Sequence, residues 1–68
     1  MKEGKTIRHI REDKGLTQLE LASLSGISAA TINGIEKGRV KTTTTKTLYR
    51  LAEALEVSVR DFFNPEDE

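Results

Sequence analysis

The sequence predicts an all-α domain of five helices built around a central helix-turn-helix, and three observations carry that reading. Between Thr17 and Gly38 the stretch TQLELASLSGISAATINGIEKG spells two short helices, with local start and stop signals around a tight glycine turn. Further on, Leu48, Leu51, Ala52 and Leu55 recur at i, i+3, i+4 and i+7, the spacing of one buried helix face. Finally, a 68-residue chain without cysteine has neither a disulfide framework nor a thiolate zinc site, so it must rely on one small core. One domain over residues 1–68 is expected, ordered from about residue 3 to about residue 64.

The first helix should run from about Glu3 to Lys14, with Ile7 and Ile10 inward and Arg8, Glu12 and Asp13 outside. Gly15 ends it, and Leu16 can fold back over Ile10, the apolar contact that accompanies a glycine C-cap. Arg11 lies one turn beyond Ile7 on the same side, so its guanidinium comes near the core. A charge there needs a carboxylate partner, because an unpaired buried ion is costly; the alternative is that it stays in water. His9, the only histidine, has no neighbours at metal-ligand spacing and reads as a surface residue.

Helix two should span Gln18 to Ser25. Thr17 followed three residues later by Glu20 is a capping box, in which each side chain satisfies a free backbone N–H. Gly26 supplies the left-handed backbone that ends the helix. Leu21 and Ala22 face inward, while Leu19 and Leu24 flank that face and are expected to be partly buried against neighbouring helices. Ser28 then caps helix three, expected over Ala29 to Lys37, with Ile27 and Ile32 placed as a hydrophobic staple. Ile32 and Ile35 point inward, and the outward face reads Ala29, Ala30, Asn33 and Gly34, with Thr31 beside it.

From Gly38 to Lys46 the chain reads GRVKTTTTK, whose β-branched threonines disfavour helix and whose Arg39, Lys41 and Lys46 are cationic. Thr44 caps helix four, which carries the leucine stripe. Ser58, Asp61, Val57 and Phe62 repeat the cap-plus-staple pattern before a short fifth helix, stopped by Pro65 ahead of the acidic end Glu66 to Glu68.

Formal net charge is zero, yet its distribution is lopsided: residues 1 to 50 hold ten basic against five acidic residues, while residues 51 to 68 hold one against six. Such a field can turn one side toward a polyanion and the other away from it. No apolar run approaches the roughly 20 residues of a membrane span and the N-terminus lacks a signal-peptide core, so a soluble, cytoplasmic protein with no membrane partner is expected. With no cysteine nucleophile, a single histidine and no phosphate loop of recognised spacing, an enzyme is the poorest reading, and neither a cofactor, a metal nor a small-molecule substrate is expected.

Arg11, Gly15-Leu16-Thr17-Gln18, Leu21-Ala22, Gly26-Ile27-Ser28, Ile32, Ile35-Glu36-Lys37-Gly38, Leu48, Leu51-Ala52, Leu55, Val57-Ser58 and Phe62-Phe63 together resemble the lambdoid phage repressor and Cro type (XRE-like) of helix-turn-helix domain, from about Ile7 to Phe63. That resemblance implies a five-helix lambda repressor-like fold and a repressor-like transcriptional regulator whose partner is double-stranded DNA, with helix three in the major groove. It pairs Arg11 with Glu36, and it implies base contacts from Ser28, Ala29, Ala30, Thr31 and Asn33. Phosphate contacts would come from Thr17, Gln18, Lys37, Arg39 and Lys41, and hydroxyls of Thr42 to Thr44 can also donate to phosphate. It further implies a homodimer on DNA, with Phe62 in the core and Phe63 at a self-complementary rim. The chain departs from the family on helix three, where Ala29, Ala30 and Gly34 replace the long polar side chains that pair with base edges. That departure motivates the alternative, a protein–protein interaction module on the same fold with weak or nonspecific DNA binding.

Overall fold

The structure is a computed structural model that describes residues 2–39 and 44–62, with side chains from Thr6 onward. Four α-helices follow in order, α1 (Lys2–Asp13), α2 (Gln18–Ser25), α3 (Ala29–Glu36) and α4 (Thr45–Leu55), and a single 3-10 turn (Val59–Phe62) closes the described chain. No strand occurs among the described residues. Among the described residues four α-helices are seen in place of five, and the expected short fifth helix is this 3-10 turn. Its start is held locally, with the Ser58 N–H donating to Asp61 Oδ2 at 3.1 Å and the Arg60 N–H to Ser58 Oγ at 3.1 Å, and with Phe62 already in the core four residues on.

The helix starts are settled within four residues of sequence. At α2 the Glu20 N–H donates to Thr17 Oγ1 at 3.0 Å and the Thr17 N–H to Glu20 Oε1 at 2.9 Å, the reciprocal capping box. Ser28 Oγ accepts from the Thr31 N–H at 3.1 Å at the start of α3, and Thr44 Oγ1 from the Thr47 N–H at 3.2 Å at the start of α4. Helix ends are equally local. Gly26, at φ 74°, sends its N–H to the Ala22 carbonyl and turns the chain from α2 into α3. Beyond α3 the chain reverses at Gly38 (φ 74°), with the Gly38 N–H on the Ile35 carbonyl at 3.1 Å and the Arg39 N–H on the Gly34 carbonyl at 2.8 Å, the paired bonds of a Schellman motif. The α4 end makes the same pair of bonds but places Glu56 (φ 58°) in the left-handed position.

One core holds these elements together. α2 packs against both α3 and α4, while α1 packs against α3 and the C-terminal 3-10 turn. Ile7, Leu21, Ile32, Ile35, Leu48, Leu51, Ala52, Leu55 and Phe62 are buried, and Ile10, Leu16, Ala22, Ile27 and Val57 pack around them. Each fully buried Ile, Leu or Phe contributes about 1.5–3 kcal/mol relative to exposure. Two expectations fail here. Leu19 and Leu24 are 73% and 61% exposed, because the face of α2 between α3 and α4 is filled by Leu21 and Ala22 and no described element covers its other side. Gly34, expected to face outward, is buried, and its carbonyl accepts the Arg39 N–H at 2.8 Å where the chain reverses past Gly38.

Candidate nucleic-acid interface

The start of α2 and the C-terminal half of α3 lie side by side, joined through their side chains. Gln18, the first residue of α2, donates through Nε2 to Glu36 Oε1 at 2.9 Å and makes a longer 3.4 Å contact with Asn33 Oδ1. Beneath it, Arg11 of α1 clasps the same carboxylate in a two-point ion pair, Nε to Oε2 at 2.7 Å and Nη2 to Oε1 at 2.9 Å. The third arm of the guanidinium, Nη1, donates to the Leu16 carbonyl at 2.7 Å. Arg11 and Glu36 are each only 8% exposed, and donating its hydrogen bonds to Glu36 raises the Arg11 pKa against the opposing effect of burial. Three segments distant in sequence, the α1 end, the α2 start and the α3 end, are thus fixed around one carboxylate.

Around this anchor, the residues singled out in the sequence fall into three groups. Ser28, Ala30 and Thr31 are exposed at the start of α3, and Ala29 and Asn33 are half-buried beside them. The Ser28 hydroxyl is occupied as the α3 cap and also donates to Thr31 Oγ1 at 2.8 Å. Thr17, the cap of α2, and Lys37 and Arg39, just past the end of α3, are exposed. Lys41, Thr42, Thr43 and Phe63 lie outside the described residues. Thr44 is a helix cap whose hydroxyl is committed to Thr47, through the Thr47 N–H at 3.2 Å and Thr47 Oγ1 at 3.0 Å.

Sequence reading missed two features. The Gln18 side chain, expected on phosphate, is turned inward to Glu36 and Asn33, a choice made by residues 15 and 18 positions away and invisible in local spacing. Arg50, on α4, comes to the interhelical turn: a Cβ placed on Gly26 would lie 3.9 Å from its Nη1. Arg50 and Lys46 are both exposed, so the basic side extends beyond the segment following α3. Among the described residues no cluster of His, Cys, Asp or Glu has the makings of a metal site, and no helix is long and apolar enough to cross a membrane.

Comparison with known proteins agrees with this geometry. The helix-turn-helix family model matches residues 7–62. The chain is 42% identical over 65 residues to the HTH-type transcriptional regulator y4dJ of Sinorhizobium fredii, covering 96% of this chain and 83% of that protein. It is 43% identical over 54 residues to the HTH-type transcriptional repressor RghR of Bacillus subtilis, a match covering 79% of this chain and 40% of the repressor. Among solved structures, the restriction-modification controller protein C.AhdI from Aeromonas hydrophila superposes with a TM-score of 0.87 at 35% identity, covering 91% of this chain and 92% of that one. With its capped α2, glycine turn and exposed α3 start, the chain belongs to the helix-turn-helix family of DNA-binding transcriptional regulators.

Proposed function

We propose that this protein acts as a repressor-like regulator that binds duplex DNA by setting the first turns of α3 in the major groove. The observation that carries this reading is the exposed start of α3, on a helix whose far end is tied to α2 through Gln18 and Glu36, with Thr17, Lys37 and Arg39 exposed on the segments that flank α2 and α3. Ala29 and Ala30 are small enough to bring the helix backbone close to the groove floor and to touch thymine methyl groups, while Ser28, Thr31 and Asn33 supply the polar base contacts. Lys37, Arg39 and Lys41 neutralise phosphates on one side; on the other, Thr17 and the free N–H groups opening α2 hold a phosphate at the helix N-terminus. In this arrangement Gln18 contributes through its main chain, since its side-chain amide is spoken for. The likeness to HTH-type regulators and to a restriction-modification controller protein supports a role in control of transcription.

Selection of duplexes from a random pool, repeated across salt concentrations, tests this. Affinity should fall as salt rises, with a log–log slope of about −0.9 per phosphate contacted. Ala30→Gln should change the preferred duplex and leave that slope nearly unchanged; if neither preference nor affinity moves, α3 does not lie in the groove. Exposed Leu19 and Leu24 favour a second reading, a protein-docking face on α2. Binding to duplex that is absent or insensitive to salt would make that reading the better one.

A further inference from the structure

The side chains of Arg11, Glu36, Gln18 and Asn33 form one line of hydrogen bonds running from the core to the exposed side of α3, and its direction is set from the buried end. A guanidinium carries only donors, so Glu36 meets it with both carboxylate oxygens, at 2.7 and 2.9 Å. An ionised carboxylate has only lone pairs to offer, so Gln18 must present its NH2 group, not its carbonyl, to Glu36 Oε1 at 2.9 Å. The same nitrogen lies 3.4 Å from Asn33 Oδ1. Turning the Asn33 amide over would set its NH2 against the NH2 of Gln18, donor facing donor, so the polarity imposed by Arg11 is handed on to Asn33. Among the described residues Asn33 Nδ2 has no protein partner, and the half-buried side chain is left with an unspent donor.

We infer that this relay presets Asn33 as a hydrogen-bond donor toward DNA, with Gln18 as the residue that positions it, so that α3 selects acceptors and does not read adenine bidentately. An asparagine that reads adenine must turn both amide atoms to one base edge, its oxygen accepting from N6 and its nitrogen donating to N7. With Oδ1 turned to Gln18, only Nδ2 faces outward. Its partners are then lone pairs: a phosphate oxygen, guanine N7 or O6, thymine O4, or adenine N7 through one bond only. The inference rests on the proposal that α3 lies against DNA.

The test uses the intact chain with the duplexes it selects. Asn33→Ala should weaken binding about tenfold, the loss of roughly one hydrogen bond, with the thermal midpoint close to that of the unaltered protein. A loss confined to duplexes with a particular base acceptor (guanine N7 or O6, thymine O4 or adenine N7) at one position identifies a base contact, and an equal loss on every duplex identifies a phosphate. Gln18→Leu removes the positioning donors while leaving Asn33 free to turn, and should raise the rank of duplexes with adenine at that position; a purely structural role would lower all affinities without reordering them. In the free protein, Gln18→Leu should also shift the Asn33 side-chain NH2 resonances. Unmoved resonances, or Asn33→Ala binding every duplex as tightly as the unaltered chain while Ala30→Gln alters preference, would overturn the inference and leave the groove reading standing. Silence from both Asn33→Ala and Ala30→Gln would remove the groove reading itself.

Discussion

Glu36 is the residue on which most depends, because one carboxylate takes hydrogen bonds from Arg11 of α1 and Gln18 of α2 while belonging to α3. Arg11 saturates the inner side of this junction: two nitrogens bind the carboxylate and a third binds the Leu16 carbonyl just past the end of α1. Removing one partner from such a pair strands the other charge out of water, at a cost of about 3–5 kcal/mol. Arg11→Ala should accordingly unfold much of the protein at ordinary temperature. Arg11→Lys keeps the charge but cannot place three fixed donors, so its midpoint should fall between the two. Denaturation midpoints measured beside the exposed control Glu12→Ala check this, and equal midpoints for Arg11→Ala and Glu12→Ala would refute it.

The elements differ in how well their ends are made. α2 and α3 stop at glycines suited to a left-handed backbone, whereas α4 forces Glu56 into that conformation at φ 58° to complete the same pair of closing hydrogen bonds. A non-glycine residue there carries a strain of roughly 1–2 kcal/mol, part of which is offset by the lower unfolded-state freedom of glutamate relative to glycine. Glu56→Gly should therefore stabilise the domain by about 0.5–1 kcal/mol, a rise of a few degrees in Tm for a chain of this size. DNA affinity measured on the stable protein should not change, since Glu56 caps the end of α4 opposite its Thr44 cap and is none of the residues proposed to meet DNA. A lowered Tm would show that the glutamate makes a contact worth more than the strain.

At the scale of the whole molecule, zero net charge conceals a basic N-terminal three-quarters and an acidic end. Arg39 follows directly on α3, while Arg60 lies in the 3-10 turn among the acidic residues. Arg39→Ala should weaken binding to all duplexes alike and reduce the salt slope by about one phosphate, whereas Arg60→Ala should leave the slope unchanged. Equal slopes for the two variants would place the phosphate-facing side elsewhere. The homodimer is proposed at this scale too, and two copies on a palindromic duplex should engage half-sites about 34–36 Å apart. Sedimentation of the protein with that duplex reports the stoichiometry, and a monomer both free and on DNA would exclude the dimer.

What the sequence by itself determined is whatever closes within a turn or two of chain. Thr17 with Glu20, Ser28 with Thr31 and Thr44 with Thr47 are contacts between residues three apart, Gly26 acts through its own backbone, and the leucine stripe of α4 follows from helical periodicity; each was legible because no distant residue competes for it. Tertiary structure alone decided the rest. Gln18 was free in sequence to face solvent or core until Glu36, already paired to Arg11, offered it a charged acceptor 18 residues away. Gly34 reads as outward on an isolated helix yet is buried in the fold, and Leu19 and Leu24 stayed in water while Leu21 and Ala22 filled the inward face of α2. Local grammar sets where helices begin and end, since their free backbone groups must be satisfied by near neighbours. Which side chains a second helix then buries, pairs or leaves exposed depends on the packing of segments brought together only by the fold.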